Sequence, residues 1–490
     1  MLIGLLLAGA VSAADLRSSV EAYVASRQSE IVGELSELLS IPNVAADRVN
    51  IRRNSERLRG MLERRGLQAE ILETAGNPLV WGERRVAGAK RTMLFYAHYD
   101  GQPVDPARWK QASPFQPVWR EGSREITPQG RFQDDWRIYG RSASDDKSPI
   151  VALLTALDAL RAAGVEGSSN IRVILDGEEE AGSPSLAPAV GRYRDKLRAD
   201  LALILDGPLH PSGRPTLTFG ARGVLAVELT VYGPKFSLHS GHYGNWVPNP
   251  AMGLVQLLAS MKDGQGRVLI GGFYDGIPAL GEEERKILRA VPDDPAALQK
   301  LFGIARTEAV GESLQEALQF PSLNVRGMRS GYVGAEARTI IPLDATASID
   351  IRLVRETPSD RMYEKLLAHI RKQGYHVVDG EPDDATRAKY PKLARVARRA
   401  GDSEAFRTDM RLAESRLVVE ALRKMWGQEP VQIRTSGGTV PLEPFIRALG
   451  FPAIGVPTVN FDNNQHSENE NLRLGHFWRA IVTMAALLTL

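Results

Sequence analysis

Two histidines and a set of acids stand out because of what precedes them. His98 and Asp100 follow the apolar run 92–96 (TMLFY), Glu178, Glu179 and Glu180 come just after 171–175 (IRVIL), and Asp206 follows 201–205 (LALIL). Short apolar runs of this kind read as buried strands. In open α/β sheets, groups beyond the carboxyl ends of such strands converge on a ligand crevice. His98 and Asp100, at i and i+2, share one side of an extended chain. The imidazole can hold a cation while the carboxylate steadies it from behind, although an HxD pair also occurs as a satisfied surface pair. Asp145 lies in GRSASDDKS just before a helical pattern, where an Asp can equally be a cap. Three consecutive Glu suit a solvated cluster, yet after a buried strand they repel strongly unless cations are present. His466 sits in NQHSENE, after the apolar region 451–459. Together these form a donor set of imidazole and carboxylate for two divalent ions, most naturally zinc, with manganese and cobalt also suited. Such a pair can share a water and polarise a carbonyl, and a neighbouring carboxylate can pass the proton to a leaving amine.

The elements that must position these groups alternate. From 92 to 205 apolar runs alternate with a helical pattern at 150–160, which predicts an α/β fold with a mostly parallel, helix-flanked sheet. The runs 223–232 and 345–353 alternate at period two, as one-sided antiparallel strands do. The expected organisation is a catalytic domain at 14–212 and 386–490, with an α+β lid or dimerisation domain inserted at 213–385. Residues 2–10 (LIGLLLAGA) followed by Val11, Ser12 and Ala13 read as a signal peptide, 1–13, of a periplasmic or secreted protein. That run is short of the ~20 residues a membrane span needs, and no later segment is apolar enough, so no stable membrane insertion is expected.

Composition excludes other classes. The 490 residues contain no cysteine, which removes disulfide scaffolds, thiolate metal sites and thiol nucleophiles. The 61 basic and 59 acidic residues give a net charge of +2, without the basic footprint of a nucleic-acid binder. Neither a GxSxG elbow nor an HExxH helix is present.

Nine ordered motifs carry a resemblance: HYD at 98–100, GRSASDDKS at 140–148, EEAGS at 179–183, LILDG at 203–207, HSG at 239–241, TIIP at 339–342, IRLV at 351–354, GGTVP at 437–441 and HSENE at 466–470. The sequence resembles the carnosinase, acetylornithine deacetylase and succinyl-diaminopimelate desuccinylase family of dinuclear zinc metallopeptidases, in its carnosinase-like dipeptidase branch. The resemblance implies that His98 and Asp206 bind one metal, Glu180 and His466 the other, and Asp145 bridges both. It implies that Asp100 orients His98, Glu179 is general base and acid, and His239 stabilises the oxyanion. It implies that Thr339 and Arg352 contact substrate, Arg352 through a substrate carboxylate, and that Gly438 and Thr439 line the pocket. The implied activity is hydrolysis of dipeptides or short peptides by a homodimer formed through the inserted domain. This chain has Ser142 and Ser148 where the family commonly has glycine, and Ser436 where dipeptidases often have Glu. The last difference keeps an N-acyl-amino-acid deacylase open as an alternative. A catalytically silent binding protein of the same fold is the non-enzyme alternative.

Overall fold

A computed structural model describes residues 12–128, 130–399 and 401–490. The expected signal peptide therefore lies outside the described residues, apart from Ser12 and Ala13. Among the described residues no helix is long and apolar enough to cross a membrane.

The chain divides into two compact units. The first runs to Gly220 and takes in Thr408–Arg434 and Pro444–Leu490; the second comprises Ala221–Arg407 and Thr435–Glu443. In the first unit an eight-stranded mixed sheet has the order Gln68–Leu72, Leu79–Arg84, Asn170–Asp176, Thr92–His98, Leu201–Ile204, Ala453–Gly455, Thr216–Thr218, Val431–Ile433. Its central pairs are parallel, and an antiparallel pairing at one side adds Leu79–Arg84 and Gln68–Leu72. The central strands are buried along nearly their whole length, which explains continuous apolar runs where one-sided strands would alternate. Helices Ala13–Leu39, Lys147–Ala162, Ala413–Trp426 and Leu474–Leu488 contribute to the same core. Lys147–Ala162 is buried almost all round, as an apolar stretch without a polar stripe must be. The parallel register sets His98 beside Asp176, so two strands deliver their polar ends at one level.

The second unit has a five-stranded sheet in the order Ser322–Arg329, Asp344–Leu353, Gly223–Tyr232, Leu393–Arg398, His376–Val378. Burial alternates strictly along Gly223–Tyr232. Its buried side chains pack with those of helices Pro250–Ala259 and Ser359–Lys372. Both boundaries of the expected insert 213–385 differ, and Thr435–Glu443, expected in the catalytic segment 386–490, belongs to the second unit. Thr216–Thr218 pairs with Val431–Ile433 in the first sheet, and Leu393–Arg398 pairs with Gly223–Tyr232 in the second. An apolar run near 393 looks the same in either sheet. Which partner satisfies its backbone groups is a tertiary matter.

Candidate active site

The strand Thr92–His98 ends in the fully buried His98, and Asp100 follows, also fully buried. The Nδ1 of His98 lies 3.2 Å from the Asp100 carbonyl and 3.4 Å from its Oδ1. With Nδ1–H donated to Asp100, the Nε2 lone pair is left for a cation. Asp100 has a second task. Its Oδ1 and Oδ2 accept the amides of Glu179 and Glu180, each at 3.0 Å. One carboxylate thus fixes both the imidazole and the turn Glu179–Ala181. Glu178 takes no part in the cluster. It accepts the amides of Asn77 and Ser185 at 2.9 and 2.8 Å, so one member of the acidic run is spent on tying its loop.

Asp145 stands in the middle. Its Oδ1 is 2.8 Å from His98 Nε2 and its Oδ2 3.1 Å from His466 Nε2. His466 Nε2 is also 3.4 Å from Glu180 Oε2. Two ligand groups result: His98, Asp145 and Asp206, and Asp145, Glu180 and His466, with the donor atoms of each group within 4.8 Å of one another. Asp145 is common to both. The capping alternative does not hold, because Asp146 occupies the N-cap of Lys147–Ala162 and its side chain makes no cap bond.

The loop carrying Asp145 is pinned by Glu470, to which the sequence reading assigns no role. Glu470 is fully buried. One oxygen accepts Ser144 N and Asp145 N, each at 2.9 Å; the other accepts Arg141 Nη1 at 2.8 Å and Ser142 N at 2.9 Å. An acid in a polar loop reads as solvated, so its place in HSENE is the only sequence signal. Ser142, in the place of the family's glycine, has φ 63°, a left-handed conformation that disfavours a side chain. Its bond to Glu470 and the 2.8 Å bond that Asn43 Nδ2 donates to its hydroxyl hold it there. His466 likewise has φ 60°, between Asn464 and Asn469 at 56° and 60°. Backbone strain of this kind persists where surrounding contacts over-determine it.

The electrostatics describe a site short of positive charge. Burial, with Asp145 adding, pushes Asp206 up to about 6 and Glu180 up to about 7. Burial pushes Glu179 well above the carboxylate range; His98 opposes this, while Asp206, Glu180 and Asp145 add to it. Burial alone would raise Asp145 too, but bonds from His466 and His98 hold it low. The bond to Asp145 raises His466 to about 9. Burial thus favours the protonated form of Asp206, Glu180 and Glu179, while Asp145 is balanced by the two imidazoles. Divalent cations can take that place, and the donor types, the burial and the shared Asp145 fit a two-ion centre.

The remaining expected residues lie in the second unit. His239, on a short strand, pairs with Ile340, and Ser240 N donates to Thr339 O at 3.0 Å, so His239 and Thr339 sit on one ladder. His239 is exposed and its Nδ1 accepts Gly241 N at 3.1 Å, which places the ring proton on Nε2. His242 lies beside it, with ring centroids 4.4 Å apart. Arg352 Nη1 donates to Thr439 Oγ1 at 2.8 Å, joining two expected substrate residues; Arg352 Nε is 3.4 Å from Asp350. At Gly438 an added Cβ would meet nothing, so space alone does not require glycine there.

With this geometry established, comparison with known proteins is decisive at the family level. The model of peptidase family M20/M25/M40 matches residues 94–490. The chain belongs to this family. Among its M20 relatives, the Cys-Gly metallodipeptidase of Candida albicans is 27% identical over 417 residues, covering 84% of this chain and 81% of the relative. The Beta-Ala-His dipeptidase of Homo sapiens is 27% identical over 424 residues, 84% of this chain and 76% of the relative. The crystal structure of an M20 family metallo-carboxypeptidase from Sulfolobus solfataricus superimposes with a TM-score of 0.76 at 32% identity, covering 94% of this chain and 99% of that one.

Proposed function

We propose that this M20 peptidase is a metal-dependent dipeptidase that hydrolyses the amide bond of dipeptides or short peptides bearing a free carboxylate. The carrying observation is the pair of ligand groups sharing Asp145, with the carboxyl of Glu179 raised well above its usual range among them. His98, Asp145 and Asp206 would hold one ion and Asp145, Glu180 and His466 the other, zinc being the ion that this donor set suits best. When bound, the ions polarise the scissile carbonyl and lower the pKa of water.

The other roles belong to side chains of this chain. Glu179, fixed by the same turn as Glu180, takes the proton of the attacking water and delivers it to the leaving amine. Asp100 holds the imidazole of His98 and the Glu179 amide in one geometry. The Nε2–H of His239 is suited to donate to the developing oxyanion. Arg352, tied to Thr439, offers its guanidinium to the substrate carboxylate; Thr339 and Gly438 are the remaining substrate contacts in this reading. The M20 dipeptidases and the metallo-carboxypeptidase among the relatives support the substrate class. Ser436 keeps N-acyl amino acids as the second reading.

Homodimerisation belongs to the same proposal. The edge strand Ser322–Arg329 leaves Val325 and Met328 exposed, and Phe236, Trp246 and Val333 of the same unit are exposed as well, features that call for a covering partner. The deciding experiment is a screen of the metal-reconstituted enzyme against dipeptides and N-acetyl amino acids. Turnover of dipeptides is the expected result. Cleavage of N-acyl amino acids alone would replace this reading with the second, and inertness towards both classes would leave a binding protein.

A further inference from the structure

Among the described residues Arg222 is a buried cation that makes no ion pair. It is 7% exposed, and its Nη2 donates to Phe320 O at 2.9 Å and Ser322 Oγ at 2.8 Å. Both acceptors are neutral. Among the described residues its Nε is buried with no hydrogen-bond partner. Ser322 and Val224 are the two cross-strand neighbours of Arg352, so the bond to Ser322 brings the Arg222 guanidinium to the Arg352 position on the sheet. The segment that carries Thr439 comes to the same place, since Arg222 N donates to Ser436 O at 3.2 Å. Among the described residues one acid serves this pair of arginines. Asp350 lies 3.4 Å from Arg352 Nε and accepts from Asn324 Nδ2 at 3.0 Å. Burial and the charge of Arg352 lower Arg222 to about 10, and Asp350 only partly offsets them. The cluster is therefore one negative charge short. A buried unpaired cation is costly, and a ligand anion relieves that cost.

We propose that Arg222 is a specificity-determining residue which, with Arg352, selects substrates carrying a free terminal carboxylate. This rests on the dipeptidase reading and deepens it. Arg352 already has Asp350 as its ion-pair partner. Arg222 supplies the surplus charge that makes a single carboxylate, and not a neutral amide, the balancing ligand.

The test compares the dipeptide that the reconstituted enzyme turns over best with its C-terminal amide, in wild type, Arg222→Lys and Arg222→Gln. Wild type should favour the free acid in kcat/KM. In Arg222→Gln this preference should fall about tenfold or more, through KM more than kcat, as expected for loss of a charged contact. Binding of the carboxyl-terminal product amino acid to the metal-loaded enzyme, measured by calorimetry, should weaken by a similar factor, a readout that does not depend on turnover. Arg222→Lys should keep most of the preference. If Arg222→Gln does not fold, Arg222→Met and Arg222→Lys give the same comparison. An acid-to-amide ratio and product binding unchanged in a folded, uncharged variant would overturn the role of Arg222 alone, and so would equal loss on acid and amide. Wild type that cleaves no dipeptide overturns the underlying reading.

Discussion

Glu470 offers the sharpest test of how the site is built. Replacing it by Gln keeps size and shape but removes the charge and turns one acceptor oxygen into an NH2 group. In the fold all four incoming groups (Arg141 Nη1, Ser142 N, Ser144 N and Asp145 N) are donors at 2.8–2.9 Å. The new NH2 therefore faces two donors whichever way the amide turns. Arg141 is 3% exposed and loses its carboxylate. Breaking a buried pair by removing one partner costs about 3–5 kcal/mol, which corresponds to a fall in melting temperature on the order of 10 °C for a unit this large. Because the same carboxylate holds the Asp145 amide, metal affinity should also fall by about 10–100-fold. Melting curves in the presence of chelator isolate the folding effect, and a subsequent metal titration followed by elemental analysis reads the second. Glu468→Gln is the control, since its partner is the exposed Arg108, and its melt should stay with wild type. A Glu470→Gln protein with wild-type melting and full metal occupancy would refute the assignment of Glu470 as the clamp on the Asp145 loop.

Other outcomes follow from the same geometry. Glu179→Gln should retain both metals by elemental analysis yet lose turnover by about 10²–10⁴-fold, the range for a general acid–base group; undiminished kcat would remove Glu179 from that role. His466→Ala or Asp145→Ala should lower the bound metal, Asp145→Ala the more because both ligand groups contain it, and full occupancy would contradict the ligand assignment. His476 is lowered to about 4, by burial first and then by Arg479 and Arg473. Its folded value lies below that of the unfolded chain, near 6.5, so the unfolded state binds more protons between those values. The stability this neutral imidazole confers is complete above about pH 6.5 and is lost as pH falls towards 4. His476→Gln should therefore lose less stability than wild type in denaturant titrations between pH 7 and pH 4.5, and identical pH slopes would show that His476 does not titrate in this way.

Much of this molecule follows from the chain alone. Apolar runs ending in His98, Asp206 and the acids after 175 are legible because a strand buried on both faces must be continuously apolar and its polar successors mark its end. Period-two patterning at 223–232 and 345–353 likewise announced one-sided strands, and the motif order carried the family. Sequence left other matters open for physical reasons. Whether Asp145 caps a helix or faces two imidazoles depends on which way its loop turns, and that is set by Glu470, more than three hundred residues further along the chain. The acids Glu178, Glu179 and Glu180 are chemically alike, yet Asn77 and Ser185 claim the first and Asp100 orients the turn of the other two. The boundary near 393 and the unbalanced charge of Arg222 share that origin. Hydrogen-bond partners and missing counter-charges are properties of pairs of distant residues, and only the folded chain brings those pairs together.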